Sequence, residues 1–199
     1  DFNPLVAYIN TRNLAVINVR ADLQTQSIVE LAQVIREAID ETDPQIHCSF
    51  CTCCVEVPVA GKIAKPLGAP GHDITIRINH GLYKNESLSY YPLWMWSTAR
   101  QAQFFPKEYR VLAEPDTCPQ NRYSTSAMSL HTHFTGTLLE GARGAKHWIT
   151  RLHAWEPESG MAYRRILGKY RGFYEALADI VPHLHHRGCC IPVTGAPQF

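Results

Sequence analysis

The stretch "YRVLAEPDTCP", residues 109–119, shows the fold class most clearly, because a strand, a carboxylate and a strand break follow one another. Its apolar residues predict a short strand over residues 109–114. Pro115 has no backbone N–H to donate to a neighbouring strand, so the strand should end at Glu114. The sequence therefore predicts a carboxylate at the carboxyl end of a buried strand.

On both sides of this stretch, helical and extended patterns alternate. Further strands are predicted over residues 46–57, 71–81 and 145–152, and helices over residues 22–42, 90–105, 124–143 and 159–181. Strands separated by helices indicate βαβ units and a parallel sheet, so the predicted class is α/β. Two architectures fit this order, a small doubly wound sheet and half of an eight-stranded (β/α)8 barrel.

Local signals predict where the helices begin. Ser27 and Glu30 have the spacing of a capping box in the first helix. Ser124 or Ser126 is expected to cap the helix that follows Glu114, and Ser159 the last helix.

Composition limits the classes of function. The 199 residues fit one domain, and a net charge of +1 favours neither nucleic acid nor an anionic membrane as a partner. No apolar run reaches the roughly 18 residues of a membrane span. Seven cysteines, an odd number, argue against a full disulfide framework and favour a reducing, cytoplasmic compartment. The sequence opens on Asp1, not Met, so we expect a processed or internal piece of a longer chain.

In both candidate architectures the functional residues gather at the carboxyl ends of the strands. That rule selects Asn79, Glu114 and the group Arg151, His153 and Trp155. A carboxylate such as Glu114 can act there as a nucleophile or as a general acid or base. The alternative is a solvated glutamate at a strand end.

The end of the fourth predicted strand combines a cation, an imidazole and an aromatic ring. Alternation places Arg151, His153 and Trp155 on one side of an extended backbone, which suits a flat polar ligand such as a sugar. In the alternative interpretation Trp148 and Trp155 are packing residues and Arg151 pairs with a nearby acid.

Two Cys- and His-rich segments, residues 48–54 and 183–190, are the candidate metal sites. An extended backbone divides the four cysteines of the first segment between two faces, whereas structural zinc sites use separated pairs joined by turns. We therefore expect buried cysteines that behave as small apolar side chains, and no metal. No glycine-rich phosphate loop opens a helix, so no cofactor is expected.

Residues 109–127, with "LLEGARGAKHWITRLHAW" at residues 138–155, resemble the last part of the catalytic barrel of clan A glycoside hydrolases. Within that clan they are most similar to the family 42 beta-galactosidases. The resemblance implies that the four strands are strands five to eight of a TIM barrel. It also implies that Glu114 is the catalytic nucleophile and that Gly144, Ala145 and Trp148 lie where strand eight begins.

The resemblance implies that the second catalytic group lies outside this chain. Retaining glycosidases use two carboxyl groups about 5 to 5.5 Å apart, and the acid/base of this clan follows an asparagine at the end of strand four. The Asn85-Glu86 step lies after strand six instead. Residues 1–182 are thus interpreted as a partial catalytic barrel, and residues 183–199 as a tail leading towards a following domain. Because a half-barrel exposes open sheet edges, its missing half or a second copy, as in a homo-oligomer, is expected to complete it.

The implied activity is retaining hydrolysis of an O-glycosidic bond in a carbohydrate substrate. Trp148 or Trp155 would stack on a sugar ring, and Asn79, Arg151 and His153 would contact hydroxyl groups. Three alternatives remain open: a non-catalytic α/β module that binds carbohydrate or serves a structural role, a Cys/His metal-binding protein, and a different clan A activity, because a fold alone does not fix function.

Overall fold

The computed structural model describes residues 4–52, 57–78, 91–117, 125–149, 158, 160–185 and 187–188, with the backbone alone for residues 4–19 and 58. The helices in this part are α1 Pro4–Asp40, α2 Val57–Ala64, α3 Tyr91–Phe104, α4 Ala127–Leu139, α5 Met161–Lys169 and α6 Arg171–Ile180. The strands are β1 Ser49–Cys51, β2 Ile74–Arg77 and β3 Tyr109–Leu112. Short 3-10 turns follow α2 at Lys65–Leu67 and α6 at Val181–His183. No helix among these residues is long and apolar enough to cross a membrane.

The three strands form one parallel sheet in the order β1-β2-β3. Ile76 in the central strand pairs with Phe50 on one side and with Val111 on the other. Beyond β3, Ala113 and Ala145 form an isolated parallel bridge. Neighbours in the sheet therefore follow one another along the chain, and the predicted α/β class with parallel strands is confirmed.

One face of this sheet is apolar and carries the helices. Ile76 and Ile78 are fully buried and form a core cluster with Val111. The same cluster contains Val57 and Ala60 of α2 and Phe105, which follows α3. Burial of each such side chain contributes roughly 1.5–3 kcal/mol relative to exposure, which explains why these helices pack where they do.

Helix α4 packs on the same face. Ala145 lies opposite Ala113 in the parallel bridge, and Ala113 shares a strand face with Val111. Ala145 in turn packs against a second core cluster that contains Phe134 and Leu138 of α4. Helices α2, α3 and α4 therefore all cover one face of the sheet.

The other face carries polar side chains. Thr75 and Arg77 alternate with the isoleucines of β2, so they point away from the helices, yet both are buried. Glu114 follows Ala113 by one residue and points to this same polar face. The sheet thus separates an apolar layer from the layer that holds the candidate site.

All four strand predictions were too long in the described part of the chain. Residues 71–81 contain β2 Ile74–Arg77, and residues 109–114 contain β3 Tyr109–Leu112 and the single bridge at Ala113. The first predicted strand, residues 46–57, is only three residues long as β1, and Val57 already begins α2. The "VPVAGKIA" segment is apolar and β-branched, but its most buried side chains, Val57, Ala60, Ile63 and Ala64, repeat at helical spacing. Residues 145–152 contribute the single bridge at Ala145 in the described part, and residues 150–152 lie outside it.

The first helix begins earlier than predicted. α1 already starts at Pro4, so Ser27 lies inside the helix. Its hydroxyl donates to the Leu23 carbonyl at 3.0 Å instead of capping the chain, so the capping-box prediction was wrong. A serine inside a helix and one at its cap look alike in sequence, because both have hydroxyls that bond to nearby backbone.

Of the other caps, one prediction is confirmed. The Ser126 hydroxyl accepts the Ser129 N–H at 3.0 Å and caps α4. The last predicted helix, residues 159–181, is instead broken at Tyr170 into α5 and α6, and Gly160 holds the first cap position.

Candidate functional site

The carboxyl ends of β2 and β3 bring a cation and an anion together. Arg77, the last residue of β2, pairs in register with Leu112, and Glu114 follows two residues later on the same face. Arg77 Nη1 forms a salt bridge with Glu114 Oε1. Only 9% of the Arg77 side chain and 15% of the Glu114 side chain are exposed, so this ion pair is largely buried.

A buried ion pair at this position has a chemical consequence. The guanidinium faces a carboxylate, and an ionised carboxylate is a group that can attack an electrophile. Arg77 Nε is also buried and has no hydrogen-bond partner among the described residues. Because buried donors are nearly always paired, this unsatisfied N–H is consistent with a ligand-binding role.

The segment after Glu114 is joined to the chain that follows Ala145. The Lys146 N–H donates to the Ala113 carbonyl at 2.9 Å, and the Trp148 N–H donates to Asp116 Oδ1 at 2.7 Å. The Thr117 hydroxyl donates to the Trp148 carbonyl at 3.3 Å. Trp148 is consequently tied to the strand that delivers Glu114, while the residue itself remains 49% exposed.

Asp116 is a second carboxylate in this site. Burial raises its pKa, and the Trp148 N–H bond, followed by the charges of Arg77 and Lys146, opposes that rise. The electrostatic influence of Arg77 therefore reaches both Glu114 and Asp116, which lie at the same edge of the sheet.

His147 lies between this segment and α4. Its Nδ1 is 3.1 Å from the Pro115 carbonyl, and since a carbonyl can only accept, Nδ1 carries the proton. The Phe134 ring meets the imidazole edge-on with centroids 4.8 Å apart. Burial lowers the pKa of His147, and the bond to Pro115 opposes this shift.

Two of the sequence-predicted site residues lie in the described part of the chain. Glu114 is at the carboxyl edge of the sheet, and Trp148 is joined to the segment beside it. The other four, Asn79, Arg151, His153 and Trp155, lie outside the described residues. The roles assigned to all six stay predictions.

Sequence reasoning missed Arg77, Asp116 and Thr117. Arg77 carries a readable signal, because in "ITIRI" a cation alternates with isoleucines and must face the opposite side of the strand from them. Asp116 and Thr117 carry no such signal. Their partner, Trp148, lies 32 and 31 residues away along the chain.

The metal hypothesis receives no support in the part of the chain that the structure describes, where no three His, Cys, Asp or Glu side chains come together in a metal-binding group. Cys48 and Cys51 are free, half-buried thiols. Arg36 Nη1 donates to Cys48 Sγ at 3.5 Å. The cysteines at 53, 54, 189 and 190 lie outside the described residues.

Comparisons of the chain with protein-family models, with curated proteins and with solved structures found no match. A fold class does not fix a function. The function is therefore inferred from the residues of the site and their geometry.

Proposed function

We propose that this chain belongs to a retaining glycoside hydrolase of the beta-galactosidase type, in which Glu114 is the nucleophile. The observation that carries the proposal is the buried pair of Arg77 and Glu114 at the carboxyl edge of a parallel sheet. Active sites of barrel enzymes lie at that edge, and a carboxylate beside a cation is suited to nucleophilic attack.

The topology supports a half-barrel over a doubly wound sheet. Strand neighbours follow chain order, and helices α2, α3 and α4 cover the same face. A doubly wound sheet carries helices on both faces, whereas a barrel places them all outside and turns the other face inwards. The buried, polar Thr75 and Arg77 fit an inward-facing layer. Residues 1–182 as strands five to eight of a barrel, with residues 183–199 as a tail, form part of this proposal.

The proposed reaction has two steps. The Glu114 carboxylate attacks the anomeric carbon, the bond to the leaving oxygen breaks, and that oxygen takes a proton from a general acid. The same group, now a base, removes a proton from water, which attacks the anomeric carbon and releases Glu114 as a carboxylate. We place this acid/base outside residues 1–199. Arg77 orients the Glu114 carboxylate before the attack and pairs with it again after its release.

Trp148 is the substrate contact that the described residues support best. Its position is held by Asp116 and Thr117, and the residue is 49% exposed. An aromatic face of this kind packs well against the C–H face of a sugar. Asn79, Arg151 and His153 as hydroxyl contacts, and Trp155 as a second stacking residue, complete the proposal.

The decisive experiment traps the covalent intermediate in the natural full-length protein. A 2,4-dinitrophenyl 2-deoxy-2-fluoro-galactoside has a leaving group that needs no protonation, so the test depends on the nucleophile alone. We expect a fluorosugar mass increase on the peptide that contains Glu114. Glu114→Gln should lose the label and more than about 10⁴-fold of the turnover, in the range that removing catalytic groups costs.

Glu108→Gln is the matched control, because Glu108 is an exposed carboxylate next to the amino end of the same strand. It should label and turn over like the natural protein. A label on another carboxylate, or undiminished turnover by Glu114→Gln, would overturn the assignment.

Carbohydrate binding without turnover is the second candidate, and the same ion pair favours it. Pairing with Arg77 alone explains why both side chains are buried, and an ion pair at this edge can bind the hydroxyl groups of a sugar without any reaction. This reading predicts galactoside binding in a calorimeter together with neither label nor turnover.

A further inference from the structure

Two consecutive side chains bind the two polar backbone groups of Trp148. Asp116 Oδ1 accepts its N–H at 2.7 Å, and the Thr117 hydroxyl donates to its carbonyl at 3.3 Å. We call Asp116 and Thr117 the clasp. Thr117 is fully buried, and its bond to the Trp148 carbonyl is partly buried. Bonds to both backbone groups of one residue fix its orientation as well as its position.

The clasp lies just beyond the last backbone hydrogen bonds between the segment that carries Glu114 and the segment that carries Trp148. The Ala113 N–H donates to the Gly144 carbonyl and the Lys146 N–H to the Ala113 carbonyl, both at 2.9 Å. Pro115 has no N–H, so regular strand pairing cannot continue past it. Beyond that point the side chains of the clasp hold the two segments together instead.

The arrangement is unlike ordinary packing of a tryptophan. Its backbone is fastened by a half-buried carboxylate, although burial opposes ionisation of that carboxylate and raises its pKa. Trp148 nevertheless stays 49% exposed, so the bonds to the clasp do not serve to bury its ring. A half-exposed tryptophan whose backbone is anchored on both sides is suited to serve as a platform for a flat ligand.

We infer that Asp116 and Thr117 are positioning residues that hold the Trp148 indole as one wall of a sugar-binding subsite beside Glu114. The inference rests on the proposed function for the nature of the ligand. A platform held from both sides loses little conformational entropy when a sugar stacks on it, so the clasp contributes chiefly to substrate affinity.

The test measures kcat and KM for an aryl galactoside in the full-length protein. Asp116→Ala removes the acceptor and should raise KM about tenfold with a much smaller change in kcat, since a loss near 1.4 kcal/mol is tenfold in affinity. Asp116→Asn keeps an oxygen acceptor and should recover most of that affinity. Thr117→Val preserves shape, removes the donor and should raise KM by a smaller factor.

A double-mutant cycle shows whether Asp116 acts through Trp148. Trp148→Ala should raise KM by itself, and adding Asp116→Ala to it should raise KM little further. Fully additive effects, or an unchanged KM in both Asp116→Ala and Thr117→Val, would overturn the inference. Thermal unfolding of each variant identifies any that are merely unfolded.

A readout that does not need turnover separates this inference from the proposed function. The difference in fluorescence between the protein and its Trp148→Phe variant reports on Trp148 alone, and acrylamide should quench that signal more strongly when Asp116 is replaced by Ala. If the fluorosugar fails to label Glu114 but this quenching changes and galactose protects against it, the clasp stands and the nucleophile assignment fails. If Glu114 is labelled while quenching and KM stay constant in both clasp variants, the clasp alone fails.

Discussion

The two faces of the four-residue strand β2 are stabilised by different interactions. On one face Ile76 is fully buried and, with Ile78 just beyond the strand, packs against the helices. On the other face Thr75 and Arg77 are buried as polar groups, and Arg77 pairs with Glu114. The apolar face is stabilised by close packing against the helices, and the polar face by an ion pair. Substitutions on the two faces should therefore lower the stability of the protein for different physical reasons.

The largest effect on stability is expected from the polar face. Arg77→Met should lower the free energy of unfolding by about 3–5 kcal/mol, because it removes the guanidinium that faces the largely buried Glu114 carboxylate. Urea unfolding measures this change. The double variant Arg77→Met with Glu114→Leu should recover much of the loss, since an apolar pair leaves no charge behind. A double variant as unstable as the single one would mean that packing, not charge, dominates this face.

On the apolar face we expect a comparable or smaller loss from a different cause. Ile76→Ala removes a fully buried side chain and should cost about 2–5 kcal/mol through lost burial and the cavity left behind. Turnover per folded molecule should stay unchanged, because Ile76 points away from Glu114. If kcat fell in the folded variant, the separation of the two faces would be wrong.

The smallest effect should come from the titratable group within the apolar layer. Burial lowers the pKa of His147 below its ordinary value of 6.5, so the folded chain takes up this proton at lower pH than the unfolded chain. Between those two values the unfolded state binds more protons, and stability therefore falls as the pH falls below about 6.5.

Replacing His147 by Gln removes this titration. Unfolding by urea at several pH values should show a shallower loss of stability on acidification in His147→Gln than in the natural protein. Identical pH profiles for the two proteins would show that a group other than His147 causes the loss of stability on acidification.

Part of this architecture could be predicted from local pattern. Alternation of helical and extended segments predicted the parallel α/β class. The strand end predicted at Glu114 was wrong by two residues, since β3 ends at Leu112. Helix α2 was missed because eight apolar residues fit a buried strand as well as a buried helix. The early start of α1 and the break at Tyr170 were missed because helix ends depend on packing more than on single capping residues.

Some residues of the candidate site could likewise be identified from the sequence, and others could not. Position along the chain selected Glu114, which lies two residues beyond the carboxyl end of β3. Arg77 was overlooked although alternation in β2 already turned it away from the isoleucines. Asp116 and Thr117 could not be selected, since neither has a partner within thirty residues of sequence.

The sequence by itself determined the alternation of extended with helical segments and the place of a glutamate at the carboxyl edge of the sheet. Hydrophobic periodicity and proline act over a few residues, so their effects can be recognised in the sequence. The tertiary structure alone decided which cation meets Glu114 and which side chains hold Trp148. Those contacts join segments that are far apart in sequence, and their energies depend on burial and distance, which exist only once the sheet has formed.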